Sequence, residues 1–180
     1  WQKSLRGLAV KHGCSFDGFL QDKQSLRSQL SLMIQAVGVS WQGDQRARAL
    51  CSSNPLYSQL NLEIRCGNLV SDHQTFPLYA ARWLIRLRGA LLPLNFRPYQ
   101  GDSGSRRDCA LCNLEELEDV VHFIGRCRVL REFRVAAFGK RDLTLDDVID
   151  LLNGQNWQAL VRYCRQAWHY RAELVREFNW

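Results

Sequence analysis

The stretch CALCNLEELEDVVHFIGRC, residues 109–127, decides how this chain folds. It holds three cysteines and a histidine in the order Cys109-x2-Cys112-x9-His122-x4-Cys127. A zinc ion takes four sulfur or nitrogen ligands in a tetrahedron. Two cysteines separated by two residues can pinch it from a tight turn, and Ala110, Leu111 and Asn113 suit such a knuckle. A His and a Cys at the second interval can supply the other half from a helix and its end. Glu118 and Asp119 fall where that helix would begin, a favourable place for acids beside the helix dipole. The spacing predicts one structural Zn2+ on Cys109, Cys112, His122 and Cys127. Three thiolates and an imidazole close the sphere and leave no place for water or substrate. The ion would contribute folding energy directly, because its ligands converge only in the folded chain.

Arginines flank this motif on both sides. Arg106 and Arg107 precede Cys109; Arg126, Arg128, Arg131 and Arg134 surround or follow Cys127. A metal would draw the two groups together. Phe96, Tyr99, Phe123 and Phe133 interleave them, so guanidinium groups could hold phosphates while an exposed ring stacks on an unpaired base. The whole chain leans the same way. Its formal charge is +6, and only Lys3, Lys11, Lys23 and Lys140 are lysines among 24 basic residues. Arginine's planar fork matches phosphate bidentately. Arg82 and Arg86, one turn apart on a predicted helix, join the set. The expected phosphate contacts are Arg82, Arg86, Arg106, Arg107, Arg128, Arg131 and Arg134.

Away from the motif, apolar residues recur at helical spacing. Hydrophobic residues make up 46% of the 180, enough for a buried core. Leu26, Leu30, Ile34 and Val37 predict a helix from Asp22 that stops at Gly38, with a short helix from Gln45 to Leu50. Residues 51–76 are the least regular, with turn signals at Asn54-Pro55 and Cys66-Gly67. Thr75 is the expected cap of a helix bearing Pro77 near its start and the stripe Ala80, Trp83, Leu84, Leu87 and Leu91. Beyond Cys127, Leu130, Phe133 and Ala137 share one helical face, with Arg128, Arg131 and Arg134 assigned to the other. Thr144 and Asp147 form a capping arrangement for a helix through Leu152, closed by Asn153-Gly154. Asn156 then starts the longest helix, striped by Trp157, Leu160, Val161, Cys164, Trp168, Val175 and Phe178. The expected fold is mainly α: a small helical bundle with one zinc-stapled knuckle-and-helix motif. Residues 1–75 form a helical connecting region and residues 76–180 the zinc-binding domain.

Other clusters read as ordinary structure. His12 and Cys14 lack a second pair; Cys164, near His169, falls on an apolar stripe; Cys51 and Cys66 have no partner pattern. Asp142, Asp146, Asp147 and Asp150 are the dense acids a nuclease would need, but their spacing fits helix capping. Seven cysteines, an odd number, argue against a disulfide framework and for reduced thiols in nucleus or cytoplasm. No apolar run is long enough to span a membrane. A chain starting at Trp1 is expected to be part of something longer.

Several of these residues together resemble a known family. Arg88-Gly89, Leu94-Asn95-Phe96-Arg97-Pro98-Tyr99, Cys109-Ala110-Leu111-Cys112, Glu118-Asp119-Val120-Val121-His122-Phe123, Cys127, Leu130 and Arg134 resemble the segment downstream of the reverse transcriptase in non-LTR (LINE-type) retrotransposon polyproteins of the jockey and I kind. Leu151-Leu152-Asn153-Gly154, Trp157, Leu160, Tyr163 and Tyr170-Arg171 continue the likeness, which covers roughly residues 76–180. It departs at Arg128, where a proline often follows the last cysteine. The resemblance implies template RNA or target DNA handling during target-primed reverse transcription, by a module that accompanies the catalytic domains without doing their chemistry. The implied partners are RNA and/or DNA and the remainder of the polyprotein, in a nuclear and cytoplasmic ribonucleoprotein, with no membrane and no small-molecule substrate. Polymerase and endonuclease signatures are absent from this stretch. The competing expectation is a protein-interaction module, a domesticated copy docking a partner through Trp168 and Trp180.

Overall fold

The computed structural model of the chain describes residues 2–13, 23–61, 77–101, 106–112 and 114–178. These are mainly helical and fall into two compact units, Trp1–Cys51 and Ser52–Trp180.

The first unit contains α1 (Gln2–Lys11) and α2 (Lys23–Leu50). Gly38 does not stop α2, and the predicted Gln45–Leu50 helix is the end of this one. A single interior glycine costs a helix only about 1 kcal/mol, too little to break 28 residues of otherwise helix-compatible chain. Met33 and Ala49 are buried, whereas Ile34 faces outward.

The second unit opens on a turn at Asn54, whose Oδ1 accepts from the Leu56 amide (3.1 Å). Its Nδ2 donates to the carbonyl of Arg88 (2.9 Å). Arg88 itself donates to the carbonyls of Leu152 (2.7 Å) and Asn61 (2.8 Å). Residues 52–61 are thus tied to helices far along the chain. Residues 62–76, with the expected division at 75/76, the Thr75 cap and Cys66, lie outside the described residues.

Helix α3 (Leu78–Arg88) starts from Pro77, whose fixed φ of −69° and extended ψ suit a residue just outside the first turn. It buries Ala80, Leu84 and Leu87. Leu91 is exposed, because the helix has already ended at Gly89. Arg82 and Arg86 are exposed too. After the metal-motif stretch come α4 (Arg131–Phe138), α5 (Leu145–Leu152) and α6 (Trp157–Phe178). Thr144 and Asp147 form the predicted reciprocal capping box on α5. Helix α6 packs against α3, α4 and α5, and its stripe of Leu160, Val161, Cys164 and Ala167 is buried. The stripe ends earlier than its sequence suggests. Beyond Arg171 the helix outruns the core, and Phe178 is exposed.

Candidate metal centre

Cys109 and Cys112 lie on a turn between two short extended pieces. The bridge Asp108–Leu117 is antiparallel, with Cys109 N donating to Glu116 O (2.8 Å) and Glu118 N to Arg107 O (2.9 Å). These bonds close a loop over the knuckle. The second half is a five-residue π-helical turn, His122–Arg126, rather than the start of an ordinary helix. Its signature bond runs from Cys127 N to His122 O (2.9 Å). The spacing explains the choice. In an α-helix, residues five apart point about 140° away from each other at 3.6 residues per turn. A turn closed between residues five apart brings the fifth back under the first, so His122 and Cys127 reach one point. Asp119 Oδ1 accepts from His122 N (2.7 Å) and ties down the start of the turn.

The donor atoms of Cys109, Cys112, His122 and Cys127 all lie within 4.8 Å of one another. The Cys109 and Cys127 sulfurs are 3.8 Å apart, and Cys112 Sγ is 3.4 Å from His122 Nε2. A tetrahedron with metal–sulfur bonds of about 2.3 Å has sulfur–sulfur edges of about 3.8 Å, and a sulfur–nitrogen edge a few tenths shorter. The four side chains can therefore hold one metal ion. Cys109, His122 and Cys127 are buried and Cys112 is half-buried.

Two carboxylates lie against the four donors. Glu116 Oε2 lies 2.9 Å from His122 Nδ1. A carboxylate there, the usual outer partner of a metal histidine, accepts a hydrogen bond from Nδ1–H and leaves the bare Nε2 facing the three sulfurs. Glu118 is buried, not a solvated acid at a helix start. It accepts from Asn95 N (2.9 Å) and pairs bidentately with Arg171 of α6 at 2.8 and 2.6 Å. Cys109 Sγ sits 3.7 Å from its Oε1. Arg171 so neutralises a carboxylate that would otherwise stand unpaired beside a thiolate.

The metal-free donors compete for protons. The Cys109 thiol is pushed up to about 12, first by the Cys127 sulfur beside it and then by burial. Cys127 shifts the opposite way, lowered by the hydrogen bond from Cys109. Burial raises Cys112. Burial alone would lower His122, but Cys109 and Glu116 together raise it. An entering cation therefore displaces protons from the thiols, and its binding strengthens as pH rises.

The arginines expected to contact phosphate divide. Arg82, Arg86, Arg106, Arg107 and Arg128 are exposed. Arg134 is not: it is fully buried. Its Nη2 donates to Cys127 O (2.6 Å) and reaches Asp142 (3.3 Å), while Nε donates to Arg141 O (2.8 Å). It is an internal strut holding the chain after Cys127, and no phosphate can reach it. Helical geometry gives the reason: Arg134 is four residues from Leu130, only about 40° away on the wheel, so it shares the buried face. Arg131 is half-buried with its Nη2 3.7 Å from Asp142. Phe123 is buried against Tyr163 and Trp168 and cannot stack on a base. Phe96 lies under Arg107, 5.9 Å from ring to guanidinium. Tyr99 remains exposed.

The other clusters stay ordinary. Cys164 is fully buried, with its thiol pKa raised by burial, and Cys51 is exposed without a partner set. Cys14 lies outside the described residues. Asp147 serves the capping box and Asp142 faces Arg131 and Arg134. No helix among the described residues is long and apolar enough to cross a membrane. None of the protein-family models, curated proteins or solved structures compared with this chain matches it.

Proposed function

We propose that the chain is a zinc-stapled, non-catalytic nucleic-acid-binding module, the C-terminal part of a LINE-type retrotransposon reverse transcriptase protein. It acts beside the rest of that polyprotein in a nuclear and cytoplasmic ribonucleoprotein. Zinc is favoured by the donor set. Three thiolates and one imidazole suit a borderline-soft ion, and hard cations such as magnesium want oxygen. With the sphere filled, the ion organises the fold and offers no position for substrate.

The observation that carries the binding reading is the placement of Arg106, Arg107, Arg126 and Arg128. All four are exposed, and each lies within three residues of Cys109 or Cys127, whose sulfurs are 3.8 Å apart. Chain connectivity to two adjoining ligands gathers four guanidinium groups on the metal's rim, a basic cluster suited to phosphates. The retrotransposon assignment rests on the motif likeness alone. The test is equilibrium binding of the zinc-loaded chain to single-stranded RNA, single-stranded DNA and duplex DNA across a salt series. Affinity should fall steeply with salt. The double variant R126E/R128E should bind at least tenfold more weakly while keeping its zinc. Unchanged affinity would remove the rim from the interface.

A second reading, a protein-interaction module, draws on another feature. Leu32, Ile34, Val39 and Trp41 on α2 are all more than half exposed, an unusual concentration of apolar surface. The Trp168 route to that reading is weaker, since Trp168 packs edge-on against Phe123; Trp180 lies outside the described residues. Zinc with no affinity for any nucleic acid would promote this reading.

A further inference from the structure

Away from the metal rim, the second unit has a groove of about 350 Å³ between the start of α3 and the first half of α6. Tyr79 forms one wall; Trp157, Val161, Arg162 and Arg165 form the other with two glutamines. Its chemistry is lopsided. Helix α3 contains no acidic residue, and α6 contains none before Glu173. Among the described residues no carboxylate pairs with Arg162 or Arg165, and both are exposed. They are three residues apart on one helix, so their guanidinium groups stand side by side. Tyr79 is half-exposed at the groove's edge. Arg82 and Arg86 follow it at three and seven residues, extending the basic line along α3.

A small groove with a ring on one wall and two unpaired arginines on the other matches a nucleotide, base to ring and phosphates to guanidinium. A duplex keeps its bases paired and stacked on one another, so it offers no free base face to Tyr79. We propose that this groove binds single-stranded nucleic acid: phosphates on Arg162 and Arg165, a base on Tyr79, and the strand continuing past Arg82 and Arg86. The inference rests on the nucleic-acid reading above and adds a second contact region to it, carried by Tyr79, Arg162 and Arg165, which that reading does not use.

The test compares the zinc-loaded full chain with R162Q/R165Q, Y79A, Y79F and the rim variant R126E/R128E, using single-stranded RNA and DNA of one sequence and the matching duplex. R162Q/R165Q should bind both single strands about tenfold more weakly and lose about 1.4 from the slope of log affinity against log salt, two phosphates at about 0.7 each. Y79A should weaken single-strand binding severalfold, and Y79F should restore it, since the ring and not the hydroxyl carries the stack. Zinc content and helical circular dichroism should not change, because these side chains lie on the surface. The RNA and DNA arms show which strand the groove prefers. If the wild type binds and the rim variant is impaired while R162Q/R165Q and Y79A are not, the groove proposal is overturned and the rim reading stands. If the wild type binds no nucleic acid, both fall together.

Discussion

His122 depends on a neighbour that its sequence context barely advertises. Glu116 holds Nδ1 and so presents Nε2 to the cluster. Removing such an outer carboxylate typically lowers metal affinity 10–100-fold. The E116A variant should therefore hold its ion roughly tenfold or more weakly in a competition titration against a chelating dye. An unaffected titration would mean the imidazole is oriented without it. Arg134 makes the opposite kind of prediction. Its guanidinium is buried and binds two other stretches of chain, at Cys127 and at Arg141–Asp142, so R134M should destabilise the chain by about 3 kcal/mol, the range for a lost buried polar network. Nucleic-acid affinity per folded molecule should stay put, which separates it from Arg126 and Arg128. Sequence spacing made the four clustered donors legible because ligand type and interval both had to agree. The buried place of Arg134 is not legible in the same way: a run of arginines suggests a solvated face, whereas its wheel position beside Leu130 puts it inside. Arg171 had a readable signal too. It falls seven residues after Cys164 on the apolar stripe, and a charge there requires a buried counter-charge, supplied by Glu118.

At the scale of elements, the π turn is the piece the sequence specified without naming. The His-x4-Cys interval cannot serve one ion from a regular α-helix, so the local backbone widens. Gly125 lets that turn sit against its neighbour. A Cβ there would lie 3.1 Å from Leu143 O and 3.2 Å from Val148 Cγ2. G125A should lower the unfolding midpoint without altering metal stoichiometry. Helix α5 gives a pH-dependent prediction. Asp147 has its pKa lowered to about 2, chiefly by Lys140 and then by Thr144. A depressed carboxylate contributes stability that is present above its unfolded pKa and lost as pH falls through the folded value. The α5 cap should therefore weaken as pH drops from about 4 to about 2, and T144A should blunt that dependence in acid titrations followed by circular dichroism. The cap was legible because Ser/Thr followed by an acid three residues on has local chemistry. The length of α2 was not: glycine at position 38 reads as a stop, yet its propensity cost is small beside the whole helix.

For the whole molecule, the second unit is a helical bundle with the Cys109, Cys112, His122 and Cys127 cluster at one end. Glu118, Asn95 and Arg171 tie that cluster to α6, and Arg88 ties α3 to α5. Ion binding and helix packing should then form one cooperative event. R171M should cost several kcal/mol and also weaken metal binding, although position 171 lies 44 residues beyond Cys127. The mainly helical class was readable from apolar periodicity. The packing of α6 on three other helices was not, because periodicity says which face is buried and not which partner covers it. The central claim is that Cys109, Cys112, His122 and Cys127 bind one zinc ion. X-ray absorption at the zinc edge of the purified chain tests it most directly. The predicted result is one zinc per chain with three sulfurs at about 2.3 Å and one nitrogen at about 2.0 Å. A chain without zinc, or zinc surrounded by oxygen, would contradict it.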